Sequence, residues 1–119
     1  MKAPSPLRGI NMTTTAYLAK DRFNHAIQAL APSTTQTVTI SGTSAATTNA
    51  LSKNTIVIRV LATSACFINI GTGTPTATSS GTPIPANVPE YFRVNGNETI
   101  KVAVIQLTSG GALYVTEMI

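Results

Sequence analysis

The chain has 119 residues and a formal net charge of +4, and only 10% of its residues are charged, against roughly 25% in an average globular domain. Twenty Thr and nine Ser replace the missing charge, while a hydrophobic fraction of 43% is too high for a solvated coil and the scarcity of Glu, Lys and Arg excludes a coiled coil. One His, one Cys and four acids cannot supply the four Cys or His ligands of a structural zinc site or a disulfide within the chain.

Met1 to Asn11 lacks periodicity and carries Pro4 and Pro6, so an irregular or extended segment is expected. Those prolines interrupt the place where a secretory leader would have its apolar run, and no window has the length of an apolar membrane span. Between residues 15 and 30, Phe23, Ile27 and Leu30 recur at i, i+4 and i+7, the spacing of a weak amphipathic helix. Thr14 or Thr15 would cap it and Pro32 would end it. The competing reading is an extended arm whose apolar residues dock onto another chain, and the pattern leaves both open.

From Thr34 onward the chain reads as short strands. Gln36 to Ser41 alternates polar and β-branched residues and stops at Gly42. Thr55 to Ala62 is the strongest strand signal, apolar on both faces, and is expected at the centre of a sheet and covered on both sides. Cys66 to Ile70 follows a short Ser64–Ala65 turn, with Cys66, Ile68 and Ile70 facing inward. The run from Gly71 to Thr82 reads as a long, flexible hairpin tip rich in Thr and Ser. Pro83, Pro85 and Pro89 bracket an edge segment. Glu90 to Val94 is a strand closed by Asn95–Gly96, a pair that suits a tight hairpin turn because both residues tolerate positive φ. Thr99 to Leu107 and Ala112 to Thr116 complete the set, separated by Ser109-Gly110-Gly111.

About seven or eight short strands with a turn every 8–12 residues indicate an all-β fold: an antiparallel β-sandwich, Greek key or jelly roll. No stretch after Pro32 can serve as the crossover helix that a parallel sheet needs. The organisation is then an N-terminal arm over residues 1–33, extended or partly helical, and a β-sandwich domain over residues 34–119.

The chemistry-bearing residues are few. His25 has only Asp21 at i−4, a spacing that suits a helix surface pair as well as a catalytic one. Cys66 opens an apolar strand with no basic neighbour to activate it and reads as a small core hydrophobe. Glu90 and Glu98 flank the Asn-Gly turn and read as solvated positions rather than a paired acid and base. Gly71-Thr72-Gly73 lacks the following helix of a phosphate loop. The eight basic residues are spread along the chain, so nucleic-acid binding is disfavoured, and the same charge suits docking onto an acidic protein surface. The composition points to a protein that is not an enzyme, with no catalytic residues, no metal and no cofactor.

Three features suit a protein built into an assembly: the arm, a hydroxyl-rich surface that costs little entropy to order, and an apolar C-terminus in Met118 and Ile119. Asn54 to Gly71, Val88-Pro-Glu-Tyr-Phe92, Ile100 to Ile105 and Gly111 to Glu117 together resemble the small β-sandwich or jelly-roll cement and decoration proteins of tailed-bacteriophage heads. The resemblance covers residues 34–119 and rests on texture and a few short strings. It implies a homotrimer on the virion surface that clamps neighbouring copies of the major capsid protein, with no membrane contact. Anchors are expected among the aromatic and Arg residues of the arm: Arg8, Tyr17, Arg22 and Phe23. Tyr91 and Tyr114 fit either a core or a trimer contact. Another virion role, in a tail, collar or head fibre, and a glycan-binding sandwich are the alternatives.

Overall fold

The computed structural model describes residues 19–20, 26–27, 30–96 and 98–119. Two compact units divide the chain, Met1–Leu30 and Ala31–Ile119. In the first, β1 (Ala19–Lys20) pairs antiparallel with β2 (Ala26–Ile27), Ala19 opposite Ile27 and Lys20 opposite Ala26. A helix through residues 15–30 is thereby overturned at these four positions, where β pairing takes the place of the i, i+4 pattern. Arg8, Tyr17, Asp21, Arg22, Phe23 and His25 lie outside the described residues.

The second unit holds eight strands: β3 (Pro32–Ile40), β4 (Ala45–Ala46), β5 (Val57–Ala62), β6 (Cys66–Thr72), β7 (Thr82–Ile84), β8 (Glu90–Arg93), β9 (Ile100–Gln106) and β10 (Gly111–Met118). They form two four-stranded antiparallel sheets, in the orders β3-β10-β5-β8 and β4-β9-β6-β7. The pairs β3–β10, β4–β9, β5–β8 and β6–β7 nest around the β6–β7 connection, like one long hairpin wound about a core. That nesting makes the sandwich a jelly roll.

Period-two burial explains the layers. Ile58, Val60 and Ala62 of β5 and Leu113 and Val115 of β10 point inward from the first sheet. Cys66 and Ile68 of β6 and Val102 and Val104 of β9 meet them from the second, with Val38, Ile40, Leu51, Ile84, Val94 and Ile100 closing the cluster. Each fully buried Ile, Leu or Val of this set contributes about 1.5–3 kcal/mol by leaving water. β5 is central as expected, between β10 and β8, but it is not covered on both sides, because Val57, Arg59 and Leu61 on its outer face are only half-buried.

Two connections differ from their sequence reading. β8 and β9 do not form a hairpin about Asn95–Gly96, because they belong to different sheets. Neither Asn95 nor Gly96 has a positive φ. Gly96 serves a different need: a Cβ there would stand 2.6 Å from the Lys53 carbonyl oxygen and 2.8 Å from that of Thr55. The Gly71–Thr82 loop is not a free tip either. Asn69 Nδ2 donates to Thr76 O at 3.0 Å and Ser44 Oγ accepts from the Ala77 amide at 2.8 Å, so the loop lies down across the outer face of the second sheet. Pro75 sits over Gly71, and Ala77 is buried. Ala103 faces outward between the inward Val102 and Val104, yet it is fully buried. Small residues at 71 and 103 leave the space that the loop fills.

Candidate interaction surface

The outer face of the first sheet is built by alternation. On β5 the side chains between the core residues are Val57, Arg59 and Leu61, all half-buried. On β10 they include Tyr114, and on β8, Tyr91 and Arg93. Register brings them together. Arg59 lies directly opposite Tyr91 on one side and Thr116 on the other. Tyr114 lies opposite Leu61 and Thr37, and Val57 opposite Arg93. Directly opposed residues have Cβ atoms about 4.5–5.5 Å apart, close enough for the Arg59 side chain to lie along the Tyr91 ring.

Tyr91 is 55% exposed and Tyr114 38% exposed, so neither is a core residue. The core alternative for these two tyrosines is therefore set aside. Among the described residues, the charged side chains of this face are Arg59 and Arg93; the Glu90 carboxylate belongs to the inward-facing row with Phe92. Exposed tyrosines interleaved with arginines are the residue types that dominate protein–protein contacts, because each offers large area at low entropic cost.

Arg93 also borders an open groove of about 630 Å³ with Lys53, Asn54, Ile56, Val94, Asn95 and Gly96. A buried acid fixes the turn beside it. Glu117 Oε1 accepts hydrogen bonds from the Ser52 amide at 3.1 Å and from Thr55 Oγ1 at 2.5 Å, which pins the 52–55 turn that Gly96 packs against. Sequence reading overlooked Glu117; its position in an apolar strand, in phase with Leu113 and Val115, was the available signal.

The residues considered for chemistry do not converge. Glu90 opens β8, and Glu98 is exposed beyond that strand's other end, its amide donating to Asn95 O. Cys66 is a buried free thiol, and burial pushes its pKa up to about 11. Gly73 has a φ of 67° and its amide donates to Thr99 O, so the Gly-Thr-Gly segment is a turn fastened to its own domain. Among the described residues no group of three His, Cys, Asp or Glu side chains could hold a metal, and no helix is long and apolar enough to cross a membrane.

Comparisons with protein families, with curated proteins and with solved structures gave no match.

Proposed function

We propose that the chain is a structural virion protein: a cement protein that docks on the outside of a tailed-phage head and clamps neighbouring major capsid subunits. One observation carries the reading. The second sheet is covered by its own loop, while the first exposes Tyr91 and Tyr114 around Arg59. A sheet face of this composition is suited to burial against another protein. Its cations, Arg59 and Arg93, favour an acidic partner surface, in keeping with the net charge of +4.

Clamping follows from geometry rather than from tight single contacts. A protein that touches several lattice subunits at once gains effective concentration at each contact, so modest interfaces add up to firm attachment. The N-terminal unit supplies a second contact element in this reading, with Arg8, Tyr17, Arg22 and Phe23 as its anchors. The jelly roll is a frequent choice for capsid components, which supports the reading by analogy only.

Sedimentation of the purified protein with empty heads of the phage that carries it tests the proposal. The expected result is saturable co-sedimentation that Arg59→Ala weakens about tenfold, the effect of losing one interface anchor. Absence of co-sedimentation, or equal binding by the variant, removes the support for this face as the docking surface.

A further inference from the structure

A jelly roll has four sheet edges, and three of them here are protected. The edge strand β4 has two residues, Ala45–Ala46. β7 has three and carries Pro83. β8 has four, with charged residues at both ends, Glu90 and Arg93. Short strands, prolines and charges are the devices that stop a sheet edge from pairing with another chain. β3 is the exception: nine residues, Pro-Ser-Thr-Thr-Gln-Thr-Val-Thr-Ile, without a charge. Pro32 stands at its start, and a register shift leaves Ser33 and Thr34 opposite Glu117, so only its first part is blunted. From Thr35 to Ile40 the strand is regular.

Hydrogen bonding shows which backbone groups of β3 face outward. Ala112 of β10 spends both its amide and its carbonyl on Thr63, toward β5: its N–H donates to Thr63 Oγ1 and its C=O accepts from the Thr63 amide. By alternation Leu113 and Val115 turn toward β3, where they oppose Val38 and Gln36. Gln36 and Val38 therefore bond inward, and the N–H and C=O groups of Thr35, Thr37 and Thr39 point away from the sheet. All three threonines are exposed.

We propose that this edge pairs with the same edge of a second copy, antiparallel and about a two-fold axis at Thr37. The register is self-complementary. Thr37 meets Thr37 of the second copy, and Thr35 meets Thr39 in both directions, so every outward-facing group finds a partner in about six backbone hydrogen bonds. The side chains then form threonine–threonine pairs on one face, a favourable cross-strand combination. An isologous contact satisfies both edges at once and closes the assembly at two chains, whereas an unrelated strand would leave the second copy's edge open. The product is a continuous eight-stranded sheet, β8-β5-β10-β3 followed by its two-fold mate. The pairing is independent of the docking face, and it gives a dimer where the resemblance to cement proteins implies a trimer.

The test is the solution mass of the full chain by light scattering or sedimentation equilibrium at micromolar concentration, with no capsid present. The dimer has about 25 kDa, twice the 12.4 kDa of the chain. Thr37→Pro deletes only an outward N–H and is tolerated on a strand edge, so it should keep the native far-ultraviolet spectrum while raising the dimer dissociation constant roughly 100-fold for the two bonds lost. Thr37→Lys provides a second variant that places charge on the edge without touching the backbone; it should also yield monomer. A wild-type mass other than that of a dimer overturns the proposal. So does a dimer that survives in the folded variants.

Discussion

Thr55 Oγ1 lies 2.5 Å from Glu117 Oε1, a hydroxyl-to-carboxylate bond between the turn before β5 and the end of β10, with both residues buried. The same oxygen also accepts the Ser52 amide. One acid thus fastens the turn before β5 to the last strand of the domain. Removing the carboxylate leaves the buried Thr55 hydroxyl without its acceptor and unfastens the Ser52 amide at the surface. Glu117→Ala is expected to lower stability by about 2–4 kcal/mol, and Glu117→Gln, which keeps an acceptor oxygen, by about 1 kcal/mol. Urea unfolding followed by circular dichroism measures both. Glu98→Gln, at an exposed position, should stay within about 0.5 kcal/mol of wild type.

The proposed docking face makes a prediction in which stability and binding separate. Tyr91 is 55% exposed and lies on an edge strand, so Tyr91→Ala removes little that the free domain uses. Its unfolding free energy should shift by less than about 0.5 kcal/mol. If the proposed function holds, binding to phage heads weakens by about 1–2 kcal/mol, a cost typical of truncating an aromatic anchor. A Tyr91→Ala protein as unstable as it is weak in binding would point to a folding role for this ring instead.

Two side chains hold the loop over the second sheet, Asn69 at Thr76 and Ser44 at Ala77. Ser44 Oγ accepts the Ala77 N–H, and Ala77 is buried beneath the loop it belongs to. Ser44→Ala leaves that donor without its acceptor, at about 1 kcal/mol, and Ala77→Lys forces a charged side chain where none fits. In both variants limited proteolysis should cut between residues 73 and 81 faster than in wild type, and Ala77→Lys should be cut soonest. Equal cleavage rates in all three proteins would mean that the loop is held by other contacts.

Strand identity was legible in this sequence because the residues that alternate along it are β-branched and few in kind. Ile58-x-Val60 and Val102-x-Val104 announce a two-sided layer before any pairing is known, and both pairs lie in the core. Connectivity was less legible. Asn95-Gly96 carries hairpin chemistry, but the requirement that sets Gly96 is the nearness of the Lys53 and Thr55 carbonyls, a tertiary contact with no local signature. The 71–82 loop misled for the same reason, since Thr and Ser suit a solvated tip and a strap alike. The outer face of the first sheet was invisible for another reason. Tyr91, Arg59 and Tyr114 are far apart in sequence and become neighbours only through the registers β5–β8 and β5–β10.

Cys66 links the core to pH. Its thiol is buried in β6, and desolvation holds its pKa at about 11, above its ordinary value of 9.0. Between those two values the native state keeps a proton that the unfolded chain gives up. The stabilising contribution is therefore complete below about pH 9 and is lost as pH rises toward 11. Comparison with Cys66→Ala isolates it from every other effect of alkali on the domain. Both proteins should lose stability in alkali, but the wild type should lose more, so that the gap between their urea midpoints narrows or reverses from pH 8 to pH 10.5 as thiolate formation, at roughly 1.4 kcal/mol per unit of pKa, draws on the unfolded state. A thiol reagent gives an orthogonal readout. At pH 8 the native protein should react only at its rate of opening and the urea-unfolded protein at once, and prompt modification of the folded domain would show that Cys66 is open to water.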